Sequence, residues 1–434
     1  MTGVISNSTS SGYLSFFKYL HMKKRHIKCI LFLNMLIFVI GCKSNQTLVT
    51  EETQKVSTQN WIGTWATAQM LVEPNNMPPA PGLTDNTLRQ IIRVSIGGKR
   101  LRLRFSNIFS DQPTILKSVS VANAADAPSI DASTQKTLTF KGNSGITMNP
   151  QEEVFSDAFD YNLQAGQLLA ITIHYGTASQ KTSGHPGSRT TSFILEGDNL
   201  NNAAFSGAVK TDHWYSIMGV DVIAPKKAAS IVCLGNSITD GRSSGTNKQN
   251  RWTDILSARL LANKNTEHIG VLNLGIGGNC VVRGGLGPTA LNRFDRDVLS
   301  QAGTKWLILL EGVNDIGGIK TAEDAPVRAQ ELIDAYKVMI DKAHAKGIKV
   351  YGCTILPFEK SFYDAPYRQE ARDIVNAWIR TNGGFDAVID FDKAMASEPG
   401  SRTILSNMHD GDFLHPNELG YKRMGETIDL GLFK

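Results

Sequence analysis

Between Trp61 and about Val222 the chain alternates apolar and polar residues with period two. In Arg100-Leu-Arg-Leu-Arg-Phe105, Leu101, Leu103 and Phe105 share one face and three arginines the other. Ile91 to Ile96 runs into Gly97-Gly98 just before it, so the two runs predict a hairpin. Alternation recurs at Val119–Ala122, Thr137–Phe140 and Leu168–Tyr175, separated by Gly, Asn and Pro. Long amphipathic helices are absent from the pattern. A β-sandwich or jelly-roll-like domain over 60–225 is the expectation.

Beyond Pro225 the period changes. Apolar strand-like runs at Ser230–Leu234, Gly270–Leu274, Trp306–Leu310, Ile348–Thr354 and Ala387–Phe391 alternate with helical stretches such as Trp252–Leu261, Ala329–Lys346 and Tyr367–Ile379. Such βαβ repetition predicts a three-layer α/β/α domain over 226–434, flavodoxin-like, with a five-stranded parallel sheet covered on both faces. In open parallel sheets ligands sit beyond the carboxyl ends of the strands, which directs attention to the residues after each strand.

The N-terminus has a different logic. Met22-Lys-Lys-Arg-His-Ile-Lys28 is cationic, and Cys29 to Ile40 is apolar apart from Asn34. These 12 residues fall short of the roughly 20 that span a bilayer. With Val39-Ile40-Gly41-Cys42 they resemble a bacterial lipoprotein signal, residues 1–41, with Met22 as an alternative start. That resemblance puts lipid on Cys42, a polar tether over 42–59, and the protein in the bacterial envelope, in the periplasm or at the outer membrane or cell surface. Five of the 45 basic residues fall within 1–41, which holds no acid, leaving 40 basic against 40 acidic residues. A neutral remainder gives no electrostatic footprint for nucleic acid. Of the five cysteines, the resemblance to a lipoprotein signal implies that Cys29 leaves with the signal and that Cys42 is acylated. Cys233, Cys280 and Cys353 remain; Cys233 and Cys353 lie in apolar runs, and the three read as core residues.

Candidate chemistry follows the strands. After the first comes Gly235-Asn236-Ser237-Ile238-Thr239-Asp240-Gly241, with a serine two residues past a buried run. After the second comes Gly275-Ile276-Gly277-Gly278-Asn279, where missing side chains let backbone N–H groups approach a ligand. Glu311-Gly312-Val313-Asn314-Asp315 follows the third and offers an amide donor. Near the C-terminus, Asp410-Gly411-Asp412-Phe413-Leu414-His415-Pro416 leads into the final helix, with Pro416 suited to its first position. Two other readings compete. Gly241-Arg-Ser243-Ser-Gly245 matches the Gly-x-Ser-x-Gly nucleophile elbow in letters but lacks the preceding strand and following helix. His409, Asp410, Asp412 and His415 could ligate a metal, though at no familiar zinc spacing.

Taken together and in this order, the four blocks resemble the SGNH, or GDSL-type, hydrolases. The serine block is similar at Gly235–Gly241, the glycine block at Asn273–Asn279, the Gly-x-Asn-Asp block at Gly312–Asp315 and the Asp-x-x-His block at Asp412–His415. Asn236 stands where the family has Asp, and Ile238 where it has Leu. Trp61-Ile-Gly-Thr-Trp65 ahead of a β-rich half is similar to a subfamily of lipoprotein acetylesterase-like enzymes.

The resemblance implies acyl transfer to water through a serine ester. Ser237 is then the nucleophile, His415 its base, and Asp412 the carboxylate that fixes the imidazole tautomer. The backbone N–H groups of Ser237 and Gly278 and the amide of Asn314 form the oxyanion hole. No metal or organic cofactor is required. The expected substrate is an O-acyl, above all O-acetyl, ester on a polysaccharide such as xylan or pectin. A lipid or general aryl esterase shares the mechanism, and a catalytically silent glycan-binding lipoprotein is the contrasting class. Trp61, Trp65 and Trp214 could stack on sugars or be buried in the β-rich core.

Overall fold

The computed structural model describes residues 59–381 and 383–434. The signal segment, Cys29, Cys42 and the tether lie outside the described residues. Strands from Trp61 to Ile223 build two antiparallel sheets and a small three-stranded one. One sheet centres on Gly98–Ser106 and Ile217–Ile223, the other on Thr87–Arg93, Leu168–Tyr175 and Thr114–Ala124. Leu101, Leu103 and Phe105 from the first share a core with Leu88, Ile92, Val119, Val121, Ile171 and Ile173 from the second. The period-two pattern thus produces a sandwich of facing sheets.

The hairpin expected around Gly97-Gly98 does not form. Its two strands enter different sheets, and Gly98–Ser106 pairs instead with Ile217–Ile223, Glu153–Phe155 and Phe159–Leu163. Gly97 crosses so close to the Leu163 carbonyl that a Cβ would stand 2.4 Å from it. The glycine therefore serves a crossover between sheets, which lets both apolar faces meet in one core. A smaller departure is at 137–140, where the strand runs Ile130–Thr137 and stops.

The parallel sheet comprises β1 (Ala229–Gly235), β2 (Ile269–Gly275), β3 (Thr304–Leu310), β4 (Lys349–Cys353) and β5 (Ala387–Ile389), in the spatial order β2-β1-β3-β4-β5. Alternate residues serve opposite faces. Val232 and Leu234 pack with Leu307 and Leu309 under helices Asp324–His344 and Pro366–Thr381. Ile231 and Cys233 pack with Ile308 and Leu310 under Trp252–Leu261 and Glu418–Thr427. Trp252, Leu256 and Leu260 recur at helical spacing on the buried stripe, as the sequence pattern requires. Cys233, Cys280 and Cys353 are buried free thiols.

The antiparallel strands are also bound to the parallel sheet. Gly63 N–H donates to the Ala302 carbonyl at 2.9 Å, and Val271 N–H donates to Ser95 Oγ at 3.0 Å. Ala66, Ala68 and Met70 join the core on one face of the parallel sheet.

Candidate active site

The strand order reverses at β1, and the residues after β1, β2 and β3 converge there, where such sheets bind ligands. Helix α1 (Ser237–Asp240) is one turn, begun by Asn236 and ended by Gly241 in the left-handed region at φ 98°. Asn236 Oδ1 accepts from Ile238 N–H at 3.0 Å, and its Nδ2 donates to Glu311 Oε2 at 3.2 Å. An aspartate could provide the cap but not that donation, so asparagine suits this turn beside a buried glutamate.

Ser237 Oγ lies 2.9 Å from His415 Nε2. On the far side of the ring, His415 Nδ1 lies 2.6 Å from Asp412 Oδ2, while Asp412 Oδ1 accepts the Leu414 and His415 N–H groups at 2.9 Å each. The Asp412 carboxylate is thus fixed by its own loop before it engages the ring. Burial works to raise its pKa, but the His415 imidazole and the two N–H groups outweigh this and hold it below the usual carboxylate value. Burial pushes His415 below the ordinary imidazole value, Asp412 opposes that, and the Arg242 cation adds to it. A neutral imidazole near neutral pH is the form that can take a proton from a hydroxyl.

Gly278, at φ 69°, is the turning point of the glycine loop. Among the described residues neither its N–H nor that of Ser237 has a hydrogen-bond acceptor. Asn314 lies on the single turn Val313–Gly317 that follows β3. Its Nδ2 donates to the Asn279 carbonyl at 2.7 Å, which leaves a second amide hydrogen, and its Oδ1 accepts from Tyr363 Oη at 3.0 Å. Asp315 holds the next stretch of the glycine loop by accepting from Val281 and Val282 N–H at 2.8 and 3.1 Å.

Arg293 underlies all of this with no side-chain exposure. Its guanidinium donates to the Gly235 and Leu274 carbonyls at the ends of β1 and β2, at 3.0 and 2.6 Å, and to Asn279 Oδ1 at 3.0 Å. Asp297 pairs with it at 2.9 Å, and Glu311 Oε1 stands 3.6 Å away. Burial pushes the Glu311 carboxyl up to about 8, against the pull of Arg293. Nothing near Arg293 in the sequence marks it, and Glu311 lies inside a block whose informative residue is Asn314.

The competing readings separate in space. Ser243 Oγ donates to Asp410 Oδ2 at 2.5 Å, at a backbone φ of 70°, and so ties the loop after α1 to the histidine loop. His409 Nδ1 accepts from Gly411 and Phe413 N–H at 3.0 and 3.3 Å. His409, Asp410 and Asp412 therefore face three different partners. Trp65 and Trp214 are buried edge to face with centroids 5.0 Å apart, and the Arg102 guanidinium covers Trp61 at 4.6 Å. Pro416 is not the first helical residue: Asn417 caps the final helix, accepting from Leu419 and Gly420 N–H, and the helix starts at Glu418. The side-chain cap wins because it satisfies two free N–H groups where proline at the first position only removes one.

Sequence reasoning also passed over Asp240 and His185. Asp240 ends α1, is 3% exposed, and receives His185 Nε2 on Oδ1 at 2.8 Å. Burial would raise its carboxyl, but His185, Arg189 and Arg251 together hold it below the usual value. The partner histidine is some fifty residues away in the β-rich half, beyond the reach of any local motif.

Residues 233–423 match the model of the GDSL-like Lipase/Acylhydrolase family. No curated protein matches the chain. Among solved structures, a member of the lipolytic protein G-D-S-L family from Veillonella parvula is 21% identical, with 46% of this chain and 96% of that one covered at a TM-score of 0.34. A GDSL-like lipase from Bacteroides thetaiotaomicron is 20% identical over 47% of this chain and 87% of its own, TM-score 0.33. An acetyl xylan esterase from Geobacillus stearothermophilus is 18% identical over 46% of this chain and 94% of its own, TM-score 0.36.

Proposed function

From the match of residues 233–423 to the GDSL-like lipase/acylhydrolase family we propose that the chain hydrolyses short-chain O-acyl esters with Ser237 as nucleophile. The observation that carries this reading is the unbroken relay Ser237–His415–Asp412, at 2.9 and 2.6 Å. A serine hydroxyl is a weak nucleophile without a base within hydrogen-bond reach. As Ser237 Oγ attacks the acyl carbon, its proton passes to His415 Nε2. Asp412 stabilises the imidazolium without itself taking the proton. The tetrahedral oxyanion is met by the N–H groups of Ser237 and Gly278 and the free amide hydrogen of Asn314. Collapse breaks the bond to the alcohol, which leaves with the proton from His415. Water, deprotonated by the same imidazole, then cleaves the acyl-serine.

Two features favour a small acyl group. Ser237 is only 6% exposed, and the Leu286 side chain stands over Gly278, its Cγ 3.2 Å from where a glycine Cβ would lie. We take the substrate to be an O-acetyl ester on a polysaccharide such as xylan or pectin. The lipoprotein-like N-terminus supports export and an anchor on Cys42, which would place the enzyme in the bacterial envelope. Acetate release from acetylated xylan and pectin, beside 4-nitrophenyl acetate and octanoate, tests the reading with Ser237→Ala as control. Acetate from a polymer, absent in the control, is expected. Octanoate turnover without polymer deacetylation would replace the substrate assignment, and silence on every ester would sink the activity.

A further inference from the structure

The segment that runs from His185, the last residue of strand Ser183–His185 in the small three-stranded sheet, to Thr191 packs against the turn that carries Ser237. His185 is clamped at both ring nitrogens, Nδ1 2.8 Å from the Ala68 carbonyl and Nε2 2.8 Å from Asp240 Oδ1. Gly187 lies so close to Asp240 that a Cβ would stand 2.0 Å from Oδ2. Arg189 Nη2 is 3.5 Å from the same oxygen. Arg251 closes the bridge: its Nε donates to the Asp240 carbonyl at 2.8 Å, and its far nitrogen donates to the Ser188 carbonyl. Further on, Asn247 N–H donates to the Arg189 carbonyl at 2.9 Å, and Gln249 donates to Thr190 Oγ1 at 2.9 Å.

Asp240 meets the glycine loop on its other side. Its N–H closes α1 on the Asn236 carbonyl at 2.9 Å. A Cβ on Gly275 would lie 2.2 Å from the Asp240 nitrogen, and one on Gly277 would lie 3.6 Å from its Oδ2. Gly275, Gly277 and Gly278 have no side chain with which to set their distance from the nucleophile turn. A buried carboxylate is costly unless paired, so the partners from the β-rich half hold Asp240 in one place.

We propose that Asp240, held by His185, is a positioning residue of the esterase site, and that the β-rich half is thereby a structural wall of that site. Its backbone packs against Gly275 and its carboxylate faces Gly277, so the residue is the spacer between the turn that supplies Ser237 N–H and the loop that supplies Gly278 N–H. Two donors to one oxyanion must both lie within about 2.7–3.1 Å of it. A displacement of about 1 Å at such a site costs on the order of 10²-fold in rate. The inference rests on the ester-hydrolase reading above.

The test uses the full chain with Asp240→Asn, His185→Gln and Gly187→Ala. The last deletes no polar group and displaces the carboxylate by contact alone. On 4-nitrophenyl acetate each folded variant is expected to lose about 10- to 100-fold in kcat with little change in KM. Fluorophosphonate labelling of Ser237 should slow in parallel. The double variant His185→Gln/Asp240→Asn should be no slower than the slower single one. Circular dichroism and the unfolding midpoint verify folding; if the two polar variants do not fold, Gly187→Ala decides. A folded variant with wild-type kcat, a change confined to KM, or fully additive losses in the double variant would overturn the inference. Inactive wild type, or an active Ser237→Ala, would sink the esterase reading itself.

Discussion

Tyr363 donates its hydroxyl hydrogen to Asn314 Oδ1 at 3.0 Å, while Asn314 Nδ2 donates to the Asn279 carbonyl at 2.7 Å. Both ends of the amide are therefore assigned, and the remaining N–H has one direction left. Asn314→Ala should lower kcat by about 10²–10³-fold with KM nearly unchanged, the usual loss for one oxyanion donor. Tyr363→Phe removes only the orienting bond and should cost less, roughly several-fold. Steady-state kinetics on 4-nitrophenyl acetate check both, and a KM effect without a kcat effect would remove Asn314 from the hole.

The histidine loop carries two aspartates with separate jobs. Asp412 faces His415, whereas Asp410 accepts from Ser243. Asp412→Asn should lose activity by orders of magnitude, up to about 10⁴-fold. Asp410→Asn and Ser243→Ala, which disturb a loop tie, should retain most of it. The opposite ranking in a single assay series would mean the wrong carboxylate has been assigned.

The pH profile has a definite sign. His415 titrates below the ordinary imidazole value because burial and Arg242 outweigh Asp412. kcat/KM should accordingly rise with pH along an acid limb that lies below about 6.5. Arg242→Gln removes a cation, eases protonation of His415, and should move that limb to higher pH. A limb that stays in place on this substitution would show that Arg242 does not act on the ring.

Beneath the site, Arg293 and Glu311 make a stability prediction. Arg293→Met takes the donor from the buried Asn279 Oδ1 and one of two cations from Asp297, which keeps Arg296, and should destabilise by about 1–3 kcal/mol, read from urea unfolding. Glu311 has its folded pKa raised to about 8 by burial, above an unfolded value near 4.3. The folded state thus holds the extra proton between those limits, so this group's contribution to stability falls as pH rises across them. Glu311→Gln should flatten that slope, measured as unfolding free energy against pH. An unchanged slope would contradict the assignment.

Much of this was legible in the chain. Strand and helix periods located the parallel sheet and its main helices, because those elements bury one face or both and the pattern records burial. Ser237, Gly278, Asn314, Asp412 and His415 stand out in the sequence because each sits where an element ends, and the structure brings Ser237, His415 and Asp412 into one hydrogen-bonded line. What escaped were long-range partners. His185 to Asp240, Tyr363 to Asn314 and Arg293 to the strand ends depend on folded proximity, which no spacing encodes. The failed hairpin at Gly97-Gly98 has the same origin: the glycines signal a tight passage but not which sheet receives the next strand. The start of the last helix was misplaced because a side-chain cap at Asn417 competed with a proline rule.

On the proposed mechanism Ser237 carries the acyl group. Trypsin cleavage after Lys227, Arg242 and Lys248 puts Ser237 in the peptide 228–242 and Ser243 in 243–248. Labelling the intact enzyme with a fluorophosphonate and mapping the tryptic peptides by mass spectrometry therefore separates the two candidates directly. The adduct is expected on Ser237 within 228–242, with loss of esterase activity in proportion and no labelling of Ser237→Ala. An adduct on 243–248, or full activity in the labelled or substituted enzyme, would rule out Ser237 as the nucleophile.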